Sequence, residues 1–217
     1  MGGDGSVKLC VFDLDGTLVD SREDLFLAVG HALSELGLPA RSRDEVVGYV
    51  GDGAVALVSR AIAPREELLE PALALWREHY SRHLLDHTRL YPGIAAVLGS
   101  ARIPVAVHTN KPGAMARRIL DGLGVLGRFA VVVGGDDAPR KPDPAGLLGI
   151  CARVGVQPAD AVLVGDSAVD LTTAAAAGVR FVPVSWGFVS METLAARGAT
   201  GFVQDAAGLL PFVGATP

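Results

Sequence analysis

Apolar positions along the chain fall into two kinds of pattern. Short continuous runs recur at Leu9-Cys10-Val11-Phe12, at Val105-Ala106-Val107-His108, over residues 130–133 and 161–164, and at Phe181-Val182-Pro183-Val184. Runs of four bounded by turn residues suit strands buried on both faces of a parallel sheet. Between them, residues 92–101, 113–123, 144–154 and 171–177 read as helices, and strands separated by helices mean parallel βαβ units. The stretch 22–88 breaks this alternation. After Ser21, which can cap a helix, Leu25, Val29, Ala32, Leu33 and Leu36 lie at helical spacing, and Gly37 and Pro39 end the segment. Ser42 with Glu45 reads as a capping box that opens a short segment to Tyr49, and Gly51-Asp52-Gly53 interrupts the chain again. Residues 54–62 and 65 to about 85 continue as helices, with Pro64 at a first-turn position. The pattern predicts a doubly wound, Rossmann-like α/β core on a parallel sheet, residues 1–20 and 89–217, with an α-helical cap, residues 21–88, inserted after the first strand. The sequence contains no internal repeat or low-complexity segment.

Composition narrows the setting. A length of 217 residues supports one domain with an insertion or two small domains, and a chain half hydrophobic and one-fifth charged is expected to be soluble and globular. No apolar run approaches the ~20 residues needed to span a bilayer, and residues 1–6 lack the basic and apolar regions of a secretory signal. Met1 to Ser6 match a loose myristoylation pattern, but no basic patch supports an anchor, so the match reads as fortuitous. A formal net charge of −5 argues against a nucleic-acid polymer as partner. Cys10 and Cys151 both lie in apolar segments and read as buried, reduced thiols of a cytoplasmic protein. Lysine is scarce, only Lys8, Lys111 and Lys141, so the position of each is informative.

Candidate chemistry begins at the end of the first apolar run. Asp13 and Asp15 sit two residues apart, and if strand geometry continues their side chains leave one face at the carboxyl end of the strand. Ligands of open α/β sheets bind there. Two like charges this close need a shared proton or a cation, and Mg²⁺ takes oxygen ligands of this kind; an acidic turn is the plainer reading. Gly16 allows a sharp turn and Thr17 adds a hydroxyl. The later strands also end in polar residues: His108-Thr109-Asn110-Lys111, then Gly134-Gly135-Asp136-Asp137 followed by Arg140-Lys141-Pro142, then Gly165-Asp166-Ser167 with Asp170. Any one of these reads equally as a cap or a solvated charge. Together, on one edge of a parallel sheet, they converge on Asp13 and Asp15.

Through Asp13-Leu14-Asp15-Gly16-Thr17, Thr109-Asn110, Lys141-Pro142 and Gly165-Asp166-Ser167 with Asp170, the chain resembles the haloacid-dehalogenase superfamily, in its phosphatase branch with a helical cap, over about residues 8–185. Val50-Gly51-Asp52-Gly53-Ala54, Thr109-Asn110-Lys111-Pro112 and Gly134-Gly135-Asp136-Asp137 are similar to the phosphoglycolate phosphatase subfamily. The resemblance implies that Asp13 attacks phosphorus and forms an aspartyl-phosphate, and that Asp15 acts as acid and then base. Mg²⁺ is implied at Asp13, the backbone carbonyl of Asp15 and Asp166, with Asp170 in support. Thr109, the backbone around Asn110, and Lys141 would hold phosphoryl oxygens, with Leu14, Gly16 and the cap residues Gly51, Asp52 and Gly53 completing the substrate site.

The implied function is a Mg²⁺-dependent phosphomonoester hydrolase, on 2-phosphoglycolate by preference. Alternatives are a phosphatase for another small ester such as a sugar phosphate or nucleotide, a sugar phosphomutase, and a non-catalytic phosphate-binding regulator. The partner expected is a small phosphorylated metabolite, with neither nucleic acid nor membrane; a monomer and a dimer are both compatible. Asp15 speaks against dehalogenases, which lack it. The absence of lysine from residues 9–110 speaks against the family's Schiff-base phosphonate hydrolases, and Gly51-Asp52-Gly53 stands where mutases carry an arginine. His79, His83 and His87 recur at four-residue spacing, but with only Asp86 beside them they read as a solvated face. Trp76, Tyr80 and Leu84 are expected in the cap core, and His108 packs under the site.

Overall fold

The computed structural model describes residues 7–216; the myristoylation-like stretch lies outside the described residues. The chain starts in β1 (Leu9–Phe12) and turns into the two-residue β2 (Val19–Asp20). It then runs through α1 (Arg22–Glu35), α2 (Arg43–Gly48), α3 (Ala54–Ile62) and α4 (Leu69–Arg82) to β3 (Arg89–Leu90). From there helices and strands alternate: α5 (Ile94–Ser100), β4 (Val105–His108), α6 (Gly113–Gly122), β5 (Val131–Val133) and α7 (Ala145–Val154). β6 (Ala161–Gly165), α8 (Ala168–Ala177), β7 (Arg180–Pro183) and the short α9 (Met191–Ala195) follow.

Five strands form one parallel sheet in the order β5-β4-β1-β6-β7. β1 lies at its centre, where the winding reverses direction, and this is the switch point outside which open α/β sheets hold their ligands. Side-chain parity sorts the two faces. Cys10 and Phe12 of β1 join a core that continues into the helices between β2 and β3, whereas Leu9 and Val11 pack with Ala106, Leu163 and residues of α7 such as Leu147 and Ile150. Asp13 continues the second parity.

β2 and β3 pair antiparallel, Val19 with Leu90 and Asp20 with Arg89, so the four-helix excursion leaves and rejoins the chain at one place. Two residues per strand are too short to show an alternation in sequence. A buried carboxylate reinforces the junction: Asp24 of α1 accepts from the backbone N–H of His87 at 3.0 Å, from that of Thr88 at 2.8 Å and from the Thr88 hydroxyl at 2.7 Å.

Several boundaries differ from the sequence expectation for local reasons. α4 begins at Leu69, after a 3₁₀ turn, and ends at Arg82, not at 65 and 85. Pro71 decides the start: it has no N–H to donate and is tolerated only in a first turn. α8 begins at Ala168, three residues earlier than its apolar pattern, because Ser167 and Asp170 form a capping box. Ser21 makes no side-chain cap; its hydroxyl is committed to Asp15. Val184 lies beyond β7 and bridges to Val203.

Candidate active site

The sheet hands over to the site at Asp13, whose N–H still donates to Val164 O at 2.9 Å. The ladder ends there. Gly16 takes φ +85 and its N–H closes a turn on Val19 O at 2.9 Å, so strand geometry does not continue to Asp15 and the two carboxylates do not share a face around one cation. Each has its own ammonium instead. Asp15 accepts from Lys111 Nζ at 3.0 and 2.9 Å and from Ser21 Oγ at 2.5 Å, while Lys141 Nζ stands 2.9 Å from Asp13 Oδ1. Two of the chain's three lysines are thus buried at the site.

The carboxylates that do gather are Asp13, Asp166 and Asp170, whose oxygens lie within 4.8 Å of one another; this is the sole such group of three among the described residues. Asp166 enters between two glycines. A Cβ on Gly16 would fall 2.3 Å from Asp166 Oδ2, and one on Gly187 would fall 2.1 Å from Asp166 Cβ. Its oxygens accept from Thr17 Oγ1 at 3.1 Å and from the Phe188 N–H at 2.7 Å. Asp170 accepts from Lys141 Nζ at 2.6 Å and from Ser167 Oγ at 2.5 Å, so the residue that caps α8 also fixes the lysine.

Three carboxylates against one ammonium leave two formal negative charges in a buried space. Burial, reinforced by Asp170, raises Asp13 to about 7 despite Lys141; burial with Asp13 and Asp170 raises Asp166 to about 8. Burial works against the Lys141 charge, but Asp13 and Asp170 outweigh it and hold the ammonium above its ordinary range. An all-oxygen donor set with two charges to neutralise fits a hard divalent cation.

The Thr109 N–H donates to Val133 O at 3.0 Å, and its Oγ1 accepts from the Lys111 N–H at 3.2 Å. The Asn110 side chain clamps neighbouring backbone. Its Oδ1 accepts from Lys141 N at 2.8 Å, and its Nδ2 donates to Lys141 O at 3.0 Å and to Gly51 O at 2.9 Å. It therefore joins the lysine loop to the glycine loop between α2 and α3. The Leu14 side chain is fully buried, and its N–H donates to Asp13 Oδ1 at 2.7 Å.

Gly51 and Gly53 line the cleft over Asp13 and Asp15, but Asp52 does not; its carboxylate is paired with Arg60. The cleft encloses about 50 Å³, space for roughly four waters.

Some residues were not anticipated. Lys111 reaches across to α4, donating to the buried Tyr80 hydroxyl at 2.8 Å, and Trp76, one turn earlier on α4, borders the cleft as well as the helical core. The scarcity of lysine and the position of Lys111 directly after Thr109-Asn110 were the available signal. The loop after β7 closes over the site through Trp186, whose Nε1 donates to Thr17 O at 3.1 Å, and through Phe188. No strand-end pattern marks it.

His108 is buried beneath Lys141. Burial, with the nearby lysine charge, lowers it to about 3, and a Cβ on Gly146 would fall 2.4 Å from its Nε2. The ladder of His79, His83 and His87 does not form, because α4 ends at Arg82; His79 stacks between His31 and His83 at 4.4 Å from each. Among the described residues no helix is long and apolar enough to cross a membrane.

Comparison with known proteins agrees with this geometry. The family model for haloacid dehalogenase-like hydrolases matches residues 10–184. A phosphoglycolate phosphatase of Rhodospirillum rubrum is 40% identical over 95% of this chain and 91% of its own length, and one of Chromobacterium violaceum is 38% identical over 88% and 90%. The crystal structure of a predicted phosphoglycolate phosphatase from Haemophilus somnus superposes with a TM-score of 0.89 at 31% identity, covering 96% of this chain and 98% of that one.

Proposed function

The chain belongs to the haloacid dehalogenase-like hydrolases, and on that premise we propose that it is a Mg²⁺-dependent phosphatase of 2-phosphoglycolate. The observation that carries the chemistry is the buried group of Asp13, Asp166 and Asp170 around Lys141. The substrate follows from the relatives, which are phosphoglycolate phosphatases over nearly their whole length.

In this reading Asp13 attacks phosphorus, the bond from phosphorus to the ester oxygen breaks, and Asp15 gives that oxygen its proton. Asp15 then takes a proton from water as the water attacks phosphorus, which frees phosphate and restores Asp13. Ser21 and Lys111 hold the Asp15 carboxylate in place between the two halves of the reaction. Lys141 and Thr109 bind phosphoryl oxygens as charge spreads over them. Asp13, Asp166 and Asp170, with the backbone carbonyl of Asp15, would hold Mg²⁺, which draws negative charge from the phosphoryl group.

Residues 1–20 and 89–217 act as the catalytic core and 21–88 as a cap that excludes water and selects the alcohol. Gly51 and Gly53 contribute from the cap; Asp52 braces that loop through Arg60. A cytoplasmic setting suits the two free, buried cysteines.

The test is kcat/KM for phosphoglycolate, hexose phosphates and nucleotides with Mg²⁺. Phosphoglycolate is expected to rank first, and activity is expected to vanish on chelation. A hexose phosphate or nucleotide ranking first would overturn the substrate, and activity that survives thorough chelation would overturn the metal.

A further inference from the structure

The two groups that hold Asp15 both lean on the helical excursion. Ser21, which donates to Asp15 Oδ1 at 2.5 Å, is the last residue before α1. Lys111 follows β4, but the three N–H groups of its ammonium are divided. Two face Asp15, at 3.0 Å from Oδ1 and 2.9 Å from Oδ2, and the third donates to the Tyr80 hydroxyl of α4 at 2.8 Å. The partners of Asp13, Asp166 and Asp170 are Lys141, Leu14, Thr17, Phe188 and Ser167, none of which lies in residues 22–88.

Tyr80 is fully buried and its ring is fixed from two sides. It stacks on Trp76 at 4.9 Å, and the Lys111 ammonium lies 4.8 Å from its ring centre. Burial raises Tyr80 to about 12 against the pull of the Lys111 charge, so the hydroxyl stays protonated and offers its oxygen as an acceptor. A buried ammonium with every donor engaged keeps its place. Without the hydroxyl its third N–H is left unpaired in a buried space, so the ammonium shifts to find another acceptor and the carboxylate bonded to it moves too.

Resting on the phosphatase reading, we propose that Tyr80 is a positioning residue, which from α4 fixes Lys111 and through it the Asp15 carboxyl that gives the ester oxygen its proton. Asp15 Oδ1 accepts from both Ser21 and Lys111, whereas Oδ2 accepts from Lys111 alone, so Oδ2 is the oxygen left to carry that proton. The proton passes from Oδ2 to the ester oxygen as the bond from that oxygen to phosphorus breaks and the Asp13 carboxylate forms the new one. Attack by Asp13 draws on Lys141, which Tyr80 does not touch. Departure of the alcohol draws on Asp15, which Tyr80 governs at one remove. Loss of the hydroxyl should therefore weaken proton delivery and spare the nucleophile.

The experiment compares phosphoglycolate, whose alkoxide needs a proton to leave, with p-nitrophenyl phosphate, whose leaving group is stable as an anion, in the wild type, Tyr80→Phe and Lys111→Met. Because kcat/KM covers only the steps up to departure of the leaving group, it reports the acid and not the later attack of water. Tyr80→Phe keeps the ring and its stack on Trp76, and should lower kcat/KM about tenfold for phosphoglycolate but less than about twofold for p-nitrophenyl phosphate. Lys111→Met should show the same selectivity with a larger loss, and adding Tyr80→Phe to it should cost less than about twofold more, since the link is already cut. An equal loss on both esters, the mark of a merely loosened helical segment, overturns the proposal while the phosphatase reading stands, as does an unchanged kcat/KM for phosphoglycolate. Should Tyr80→Phe fail to fold, Lys111→Met decides, and an equal loss on both esters there overturns the proposal. A wild type that hydrolyses neither ester overturns the phosphatase reading and the proposal with it.

Discussion

Asn110 holds Lys141 by its backbone, accepting from its N–H at 2.8 Å and donating to its carbonyl at 3.0 Å, while the same amide nitrogen donates to Gly51. One side chain thus sets the lysine that faces Asp13 and also ties down the glycine loop of the helical segment. Asn110→Ala leaves two buried backbone groups of Lys141 unpaired. It should cost about 2 kcal/mol of stability, and kcat/KM should fall about 10–100-fold as the lysine loses its register. Thermal denaturation and steady-state kinetics measure the two effects separately.

Gly16 is fixed by its backbone and by its neighbour together. Its φ of +85 disfavours any side chain, and the added Cβ would meet the Asp166 carboxylate, which is confined by Thr17 and Phe188. Gly16→Ala should lose about 1–3 kcal/mol of stability. It should also displace Asp166, so the variant should no longer gain thermal stability from Mg²⁺.

The acidic centre makes stability depend on pH in an unusual direction. Asp13, raised to about 7, and Asp166, raised to about 8, hold protons in the folded protein that ordinary carboxylates release near pH 4 in the unfolded chain. Between those values the folded state binds more protons than the unfolded one, so stability falls as pH rises. Metal-free protein should therefore lose Tm from pH 5 to pH 8 through these groups. Mg²⁺ must displace the same protons, so its stabilising effect should be larger at pH 8 than at pH 5. Calorimetry with and without Mg²⁺ at both pH values checks the sign.

The five-stranded sheet and the helical excursion were legible because buried parallel strands leave short apolar runs and helices leave periodic ones. Asp13, Thr109, Lys141, Asp166 and Asp170 were legible because each follows or lies near a strand end on the carboxyl edge. The partner of Asp15 was not. Spacing alone puts Asp13 and Asp15 on one face, and only the turn at Gly16 separates them and gives Asp15 to Lys111.

The placement of Asp52 was hidden for a related reason. Its neighbours Gly51 and Gly53 line the cleft, but its own side chain turns to Arg60, eight residues later on α3, a contact no local pattern signals. Asp24, Tyr80 and Phe188 likewise act through contacts distant in sequence.

In the proposed reaction Asp13 takes the phosphoryl group. Mixing enzyme, Mg²⁺ and phosphoglycolate, quenching with acid within milliseconds and digesting the protein for mass spectrometry tests it directly. The peptide that contains Asp13 should carry one added phosphoryl group, labile to hydroxylamine, and the Asp13→Asn protein should carry none and turn over no substrate. Turnover at near wild-type rate by Asp13→Asn, or a phosphoryl group found on another residue, would contradict it.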